Sequence, residues 1–147
     1  MPEVERPAPA VLDASVAVRW LVPERGSEEA AALLGQPFTW LAPRLLVTEV
    51  GSALRRKVAG GELSGDVATH ALGVLVDAID DGIIRLAEDE HLVASALTLA
   101  LTLGRKLPDS LYLALAEREG ASLATADKTL ILMARQRGVR VLAIPSA

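Results

Sequence analysis

Apolar residues along the chain form short uninterrupted runs that alternate with longer stretches in which they recur every three or four positions. The short runs predict buried strands, at 10–12, 38–42, 83–87, 121–126 and 139–144. The periodic stretches predict helices, at 14–21, 28–34, 44–59, 66–79, 88–103, 109–119 and 127–137. Strands that alternate with helices of this length favour a parallel sheet covered on both faces. We therefore predict a three-layer α/β/α fold around a short central parallel sheet.

Small polar residues and glycines mark where these elements begin and end. Ser27 and Ser64 are predicted N-caps, and Gly35 follows the second helix as a stop signal. The Pro-rich residues 1–9 predict a flexible lead-in, and no later Pro-, Gly- or Ser-rich stretch divides the chain. Residues 10–147 are therefore predicted to form a single domain.

Composition narrows the classes of protein that fit. Half of the 147 residues are apolar but only 3% are aromatic, so the core must be mainly aliphatic, with Trp20 and Trp40 as packing residues. The absence of cysteine excludes a disulfide framework, a cysteine zinc site and a thiol nucleophile. The longest uncharged run, 92–104, is shorter than the roughly 20 residues that span a bilayer. We expect a cytoplasmic protein without membrane contact.

The net charge of −4 argues against a surface that attracts nucleic acid everywhere, so any such contact must come from local basic patches. The candidates for phosphate contacts, each with ordinary solvated charge as the alternative, are Arg19, Arg44, Arg55, Arg56, Lys57, Arg105, Lys106 and Lys128. No pattern among them singles out a substrate-binding set.

Four of the 19 acidic residues lie inside apolar stretches instead of on polar faces: Asp13, Glu49, Asp109 and Asp127. The three aspartates stand where predicted helices begin, so helix capping is an alternative explanation for each of them. None is followed three residues later by the Glu or Gln of a capping box, which weakens that alternative slightly.

Topology suggests that these acids meet. Asp13 and Asp127 follow strands of the predicted parallel sheet, and ligands bind beyond the carboxyl ends of such strands. Glu49 lies on a largely apolar helix and needs a cation. The basic cluster at 55–57 is beyond the reach of a helical pair, so the alternatives are an Arg brought in by a tertiary contact and a metal ion. An oxygen-only ligand set selects Mg²⁺ or Mn²⁺ over zinc. His70 and His91 are isolated from each other and from the acids, which agrees with that choice.

The four acids and their surroundings resemble the PIN-domain ribonucleases, and specifically the VapC-type toxins of type II toxin–antitoxin systems. The matching segments are VLDASVAVRWLVPE, APRLLVTEVGSALRRKVAGGEL, DSLYLALAEREGASLATADKTL and GVRVL, and the resemblance runs from about Ala10 to Ile144. Two positions depart from the pattern. Pro108 stands where many relatives have an aromatic residue, and Leu130 stands where some have a further acid, which suggests a site of four carboxylates.

This resemblance implies a PIN-like fold and a homodimer that cleaves RNA with Mg²⁺, for which Mn²⁺ can substitute, leaving 5′-phosphate and 3′-hydroxyl ends. It assigns metal binding and catalysis to Asp13, Glu49, Asp109 and Asp127, and supporting positions to Ser15 and Thr125. The implied partner is a VapB-type antitoxin whose C-terminal segment occupies the groove of the toxin.

Three other functions are alternatives to a toxin ribonuclease. A phosphoaspartyl phosphotransferase would use Asp13 as its nucleophile, but Ser15 occupies the position where that class carries a second acid. A PIN-type nuclease of cellular RNA processing would carry the same four acids. A non-catalytic module that binds RNA or protein would have no need to retain all of them.

Overall fold

The computed structural model describes residues 6–146. The five strands in this range are β1 (Ala8–Leu12), β2 (Phe38–Ala42), β3 (Ile84–Leu86), β4 (Ser122–Thr125) and β5 (Val141–Ala143). The helices are α1 (Ala14–Leu21), α2 (Ser27–Leu34), α3 (Leu45–Ala59), α4 (Gly65–Asp80), α5 (Glu90–Leu103), α6 (Leu107–Glu119) and α7 (Lys128–Gln136). None of these helices combines the length and the apolarity needed to cross a membrane.

The strands form one parallel sheet in the order β3-β2-β1-β4-β5. The chain builds outward from β1 to β2 and β3 on one side, and then returns to place β4 and β5 on the other. The strand order therefore reverses between β1 and β4, and parallel sheets bind ligands beyond the carboxyl ends of their strands at such a point. Asp13 lies there, and its backbone N–H donates to the carbonyl of Ala124 at 3.1 Å.

Both faces of the sheet are covered, as the sequence predicts. Because side chains alternate along a strand, Ala10 and Leu12 pack against α1–α4, whereas Val11 between them packs against α5–α7. Trp20 and Trp40 meet edge to face with ring centroids 5.0 Å apart, and the indole of Trp20 donates to the carbonyl of Ala30 at 2.6 Å. The three-layer α/β/α prediction and the packing role of both tryptophans are confirmed.

The predicted lead-in is too long. Strand β1 begins at Ala8, so Ala8 and Pro9 belong to the sheet, while residues 1–5 lie outside the described residues. Pro9 is tolerated because the pairing of β1 with β4 begins only at Ala10, so that its missing N–H removes no hydrogen bond on that side.

Three helix starts differ from the prediction in their cap or by two residues. Gly26, at φ 92°, precedes α2 in place of the predicted Ser27 cap, because the Ser27 hydroxyl instead accepts from the N–H of Glu24 at 2.9 Å. Helix α5 starts at Glu90, capped by Asp89. Helix α6 starts at Leu107, because Pro108 fits the first turn of a helix, where its missing N–H removes no helical hydrogen bond.

Candidate active site

The four acids predicted from the sequence line one open cleft of about 650 Å³ at the carboxyl end of the sheet. Asp13 follows β1 and caps α1, and Asp127 follows β4 and caps α7. Glu49 reaches the cleft from α3 on one face of the sheet, and Asp109 from the first turn of α6 on the other. The structure therefore brings together side chains that are up to 114 positions apart in the sequence.

Asp13 is held by hydroxyl groups. Its Oδ2 accepts from the Oγ of Ser15 at 2.5 Å and from the Oγ1 of Thr125 at 2.8 Å, and more weakly from the Ser15 N–H at 3.4 Å. The side chain is almost entirely buried. All the hydrogen bonds that the described residues donate to this carboxylate fall on Oδ2, and Oδ1 accepts none of them.

Ser15 and Thr125 also connect the ends of β1 and β4. The Ser15 hydroxyl accepts from the N–H of Ala126 at 2.9 Å, and the Thr125 hydroxyl accepts from the N–H of Asp127 at 3.0 Å. Each hydroxyl therefore receives one hydrogen bond and passes one to Asp13. This geometry fits the supporting positions that the sequence suggests for them, and a role in catalysis stays a prediction.

Glu49 is held by a residue that sequence reasoning missed. The phenol of Tyr112, which is buried, donates to Oε1 of Glu49 at 2.6 Å. Tyr112 is the only tyrosine of the chain and follows Asp109 by three positions, so both side chains point to the same side of α6. That spacing was the available signal, but the sequence does not show that α3 lies opposite.

Burial and mutual repulsion make these carboxylates hard to ionise. Burial raises the pKa of Asp13, against the hydrogen bonds from Ser15 and Thr125 that lower it. Burial likewise raises the pKa of Glu49, against the Tyr112 hydrogen bond, and the charges of Asp13 and Asp109 raise it further. The pKa of Asp109 is raised by burial and then by Asp127 and Asp13. Ionising all of these acids would concentrate negative charge in the cleft, which favours the binding of a cation or of protons.

Helix capping accounts for only part of the set. Asp13 and Asp127 do cap helices, through the N–H groups of Ser15 and Leu130. Asp109 caps nothing, because it is the third residue of α6 and Lys106 occupies the cap position. Capping is thus the wrong explanation for Asp109 and an incomplete one for the other two.

The side chains of the four acids offer only oxygen atoms, which are the ligands that a hard divalent cation prefers. The four predicted acids line the cleft together with Glu24 and Glu62, and within residues 6–146 none of the four forms an ion pair with Lys or Arg. No group of three or more Asp, Glu or His side chains in this range is arranged so that it could hold a metal ion as it stands. Binding of one cation by several of these carboxylates would therefore require their side chains to move closer together.

Two of the basic residues considered as substrate contacts are already engaged. Arg19 is buried and donates to the carbonyls of Ser15 and Arg25, both at 2.7 Å, and pairs with Glu24 at 3.0 Å. Lys57 pairs with the same Glu24 at 2.8 Å. Three contacts of its guanidinium thus hold Arg19 within the fold while it lines the same cleft, and a contact with a substrate stays a prediction.

Other basic residues remain close to the acids. Arg56 lines the cleft on α3, seven residues beyond Glu49, and its charge lowers the pKa of that acid. Lys106 and Arg105 act in the same direction on Asp109 from the start of α6. The acidic centre is thus bordered by positive charge on two sides.

The sequence of the chain matches a protein family model and a ribonuclease of known name. The PIN domain family model matches residues 10–136. Ribonuclease VapC3 of Pyrobaculum aerophilum is 31% identical over 120 residues, which make up 82% of this chain and 90% of that protein. This relative has both sequence similarity and nearly complete coverage.

Solved structures give the same fold at lower identity. The crystal structure of PAE2754 from Pyrobaculum aerophilum matches with a TM-score of 0.69 and 19% identity, covering 92% of this chain and 90% of that one. A toxin–antitoxin complex from Klebsiella pneumoniae contains a chain that matches with a TM-score of 0.59 and 18% identity, covering 80% of this chain and 86% of that one.

Proposed function

Because this chain belongs to the PIN domain family, we propose that it is a VapC-type endoribonuclease that acts in the cytoplasm as the toxin of a toxin–antitoxin pair. The supporting observation is the single cleft lined by Asp13, Glu49, Asp109 and Asp127, none of which forms an ion pair with Lys or Arg within residues 6–146. The relative with 31% identity carries the name of a ribonuclease.

The four carboxylates would hold Mg²⁺ or Mn²⁺, since hard cations prefer oxygen ligands. When bound, such an ion lowers the pKa of a coordinated water and stabilises negative charge on a phosphate that is under attack. The chain's own residues prepare the ligands. Ser15 and Thr125 fix Oδ2 of Asp13, and the buried carboxylates lose their repulsion when a cation is present.

The RNA backbone would cross the cleft between its two basic borders. Arg56 would contact a phosphate on the α3 side, and Arg105 and Lys106 would do so at the start of α6. Contacts to phosphate carry no sequence information, and they supply most of the affinity that is independent of sequence. Binding would thus be local, despite the negative net charge of the whole chain.

The proposed partners are a VapB-type antitoxin and a second copy of this chain. The structural neighbour from Klebsiella pneumoniae forms a complex of toxin and antitoxin, which supports the first partner. Co-purification of the product of an adjacent small gene, followed by light scattering of the free and the bound chain, tests both.

Asp109→Asn is the most informative test of the nuclease, because Asp109 is half-buried in the cleft and caps no helix, so the fold loses no cap. We expect RNA cleavage in Mg²⁺ to fall at least about a hundredfold, the size of effect seen when a charge-stabilising group is removed from an active site. EDTA should abolish cleavage by the unaltered protein. Asp77→Asn, an exposed acid on α4, serves as the matched control and should cleave normally.

The outcomes separate the possible functions. Cleavage that persists in Asp109→Asn or in EDTA contradicts the metal-dependent assignment. Cleavage without growth inhibition on expression favours a nuclease of cellular RNA processing over a toxin. Metal-independent binding of RNA without cleavage favours a non-catalytic module.

A further inference from the structure

We propose that Tyr112 is a positioning residue, which orients the carboxylate of Glu49 for the metal ion by hydrogen bonding to Oε1. This inference rests on the proposed function of the cleft and adds to it a residue outside the set of four acids. The contact is short, 2.6 Å between the phenol oxygen and Oε1. It occupies one carboxylate oxygen and leaves the other free for the cleft.

The position of Tyr112 is fixed by packing. Its ring is 1% exposed and lies among the buried residues of α6, which include Leu111 and the run from Leu113 to Ala116. A side chain so enclosed has one orientation, whereas Glu49 is only half-buried and has three rotatable bonds. The hydrogen bond therefore holds the side chain of Glu49 against the fixed ring of Tyr112.

The hydrogen bond also joins two layers of the fold. Glu49 belongs to α3, which packs on one face of the sheet with α1 and α4, whereas Tyr112 belongs to α6 on the other face. Asp109 lies one turn before Tyr112 on the same helix. Helix α6 thus supplies one acid directly and fixes a second acid indirectly, so their separation depends on a single rigid helix.

The electrostatics of the pair favour this role. Burial and the nearby carboxylates raise the pKa of Tyr112, so its phenol stays protonated and acts only as a donor to Glu49. The hydrogen bond favours the charged form of Glu49, which is the form that binds a cation. Partners of this kind orient metal-binding carboxylates in many proteins.

The test is the affinity for Mn²⁺, measured by titration calorimetry without RNA. Tyr112→Phe keeps the ring and removes the donor, and we expect the Mn²⁺ dissociation constant to rise about tenfold, as for the loss of other outer partners of metal ligands. Ser110→Ala is the matched control. It removes a buried hydroxyl of the same helix. This hydroxyl donates to the Lys106 carbonyl at 3.1 Å and, among the described residues, forms no hydrogen bond with a cleft acid, so Mn²⁺ affinity should stay unchanged.

A double-mutant cycle shows whether Tyr112 acts through Glu49. Glu49→Gln should weaken Mn²⁺ binding, and adding Tyr112→Phe to it should have little further effect. The inference is overturned if Tyr112→Phe binds Mn²⁺ as tightly as the unaltered chain. It is also overturned if Tyr112→Phe weakens binding equally with and without Glu49, because the residue would then act by another route.

The same measurements distinguish this inference from the proposed function. If the unaltered chain binds no Mn²⁺ and cleaves no RNA, both ideas fail together. If the unaltered chain binds Mn²⁺ and loses cleavage in Asp109→Asn, but Tyr112→Phe changes nothing, only the positioning role fails. Thermal unfolding of each metal-free variant shows whether a change in affinity reflects a change in fold.

Discussion

Asp13 combines three tasks in one side chain, since it caps α1, accepts the hydroxyls of Ser15 and Thr125, and faces the cleft. Burial makes its negative charge unfavourable in the folded chain and raises its pKa. A group whose pKa is raised by folding stabilises the fold at low pH and loses that contribution as pH rises through the raised value. At neutral pH without metal, the charge of Asp13 should therefore weaken the fold.

Asp13→Asn should raise the melting temperature of the metal-free protein at pH 7 by about 2–8 °C, because Asn caps a helix as well as Asp and carries no charge. The difference should disappear below about pH 3.8, where unfolded Asp is itself protonated. Differential scanning calorimetry between pH 3 and pH 8 measures both effects. A lower melting temperature at pH 7 would show that the charge of Asp13 is compensated within the fold.

Individual site residues differ in how far the sequence reveals them. The four acids are recognisable because a carboxylate within an apolar stretch needs a reason, and all four line one cleft. Tyr112 is not recognisable, because a tyrosine in an apolar helix is ordinary and its partner is 63 positions away. Nor does the sequence reveal that Arg19 is buried, because the loop after α1 folds back to accept one of its hydrogen bonds.

At the scale of elements, a chain of ion pairs connects α1 to α3 beside the cleft. Glu24, in the connection between α1 and α2, pairs with Arg19 at 3.0 Å and with Lys57 of α3 at 2.8 Å. Gly26 lets the connection approach closely, because an added Cβ would lie 2.5 Å from the carbonyl oxygen of Pro145 and 3.1 Å from the Arg19 side chain. A side chain at this position would therefore displace the connection from Arg19.

Glu24→Gln should lower the free energy of unfolding by about 1–3 kcal/mol, because it leaves the buried Arg19 charge without its counter-ion. Urea unfolding at pH 7 measures this. Glu62→Gln is the matched control, since its carboxylate is 63% exposed and lies 3.4 Å from the same Lys57, and we expect a change below about 0.5 kcal/mol. Equal losses in the two variants would show that the Arg19 pair adds nothing.

The sequence predicts the order and type of the elements better than their ends. All five strands and seven helices lie where periodicity places them, since long apolar patterns reflect which face is buried. The ends depend on local contacts. The Ser27 hydroxyl accepts a hydrogen bond from a turn instead of capping the helix, and α6 begins at Leu107, two residues before the predicted start at Asp109. Such choices involve hydrogen bonds that a single sequence does not display.

At the scale of the whole molecule, the chain has a net negative charge, but basic residues lie beside its acidic cleft. The charge of −4 should slow the approach of RNA at low salt, whereas Arg56 and the start of α6 supply local attraction. Affinity for RNA should therefore depend on where a positive charge lies and not only on how many there are.

Arg56→Ala should weaken RNA binding and reduce the salt slope of the affinity by about one, as expected when one phosphate contact is lost. Arg55→Ala is the control with the same change in net charge, because Arg55 lines a separate groove between α3 and α4. Fluorescence anisotropy in an Asp109→Asn background keeps the RNA intact. If the two variants weaken binding equally, net charge and not position governs the affinity.

The turn between α4 and β3 has a consequence for engineering. It is exposed, Gly82 adopts φ 79°, and it separates a segment that carries Asp13 and Glu49 from one that carries Asp109 and Asp127. Strand pairing crosses this division twice, between β1 and β4 and between β2 and β3. A break at Gly82 would give two fragments, each with half of the carboxylates, whose shared sheet could reassemble them. We therefore expect that the separate fragments would not cleave RNA, and that fusing them to two proteins that bind each other would restore the proposed cleavage.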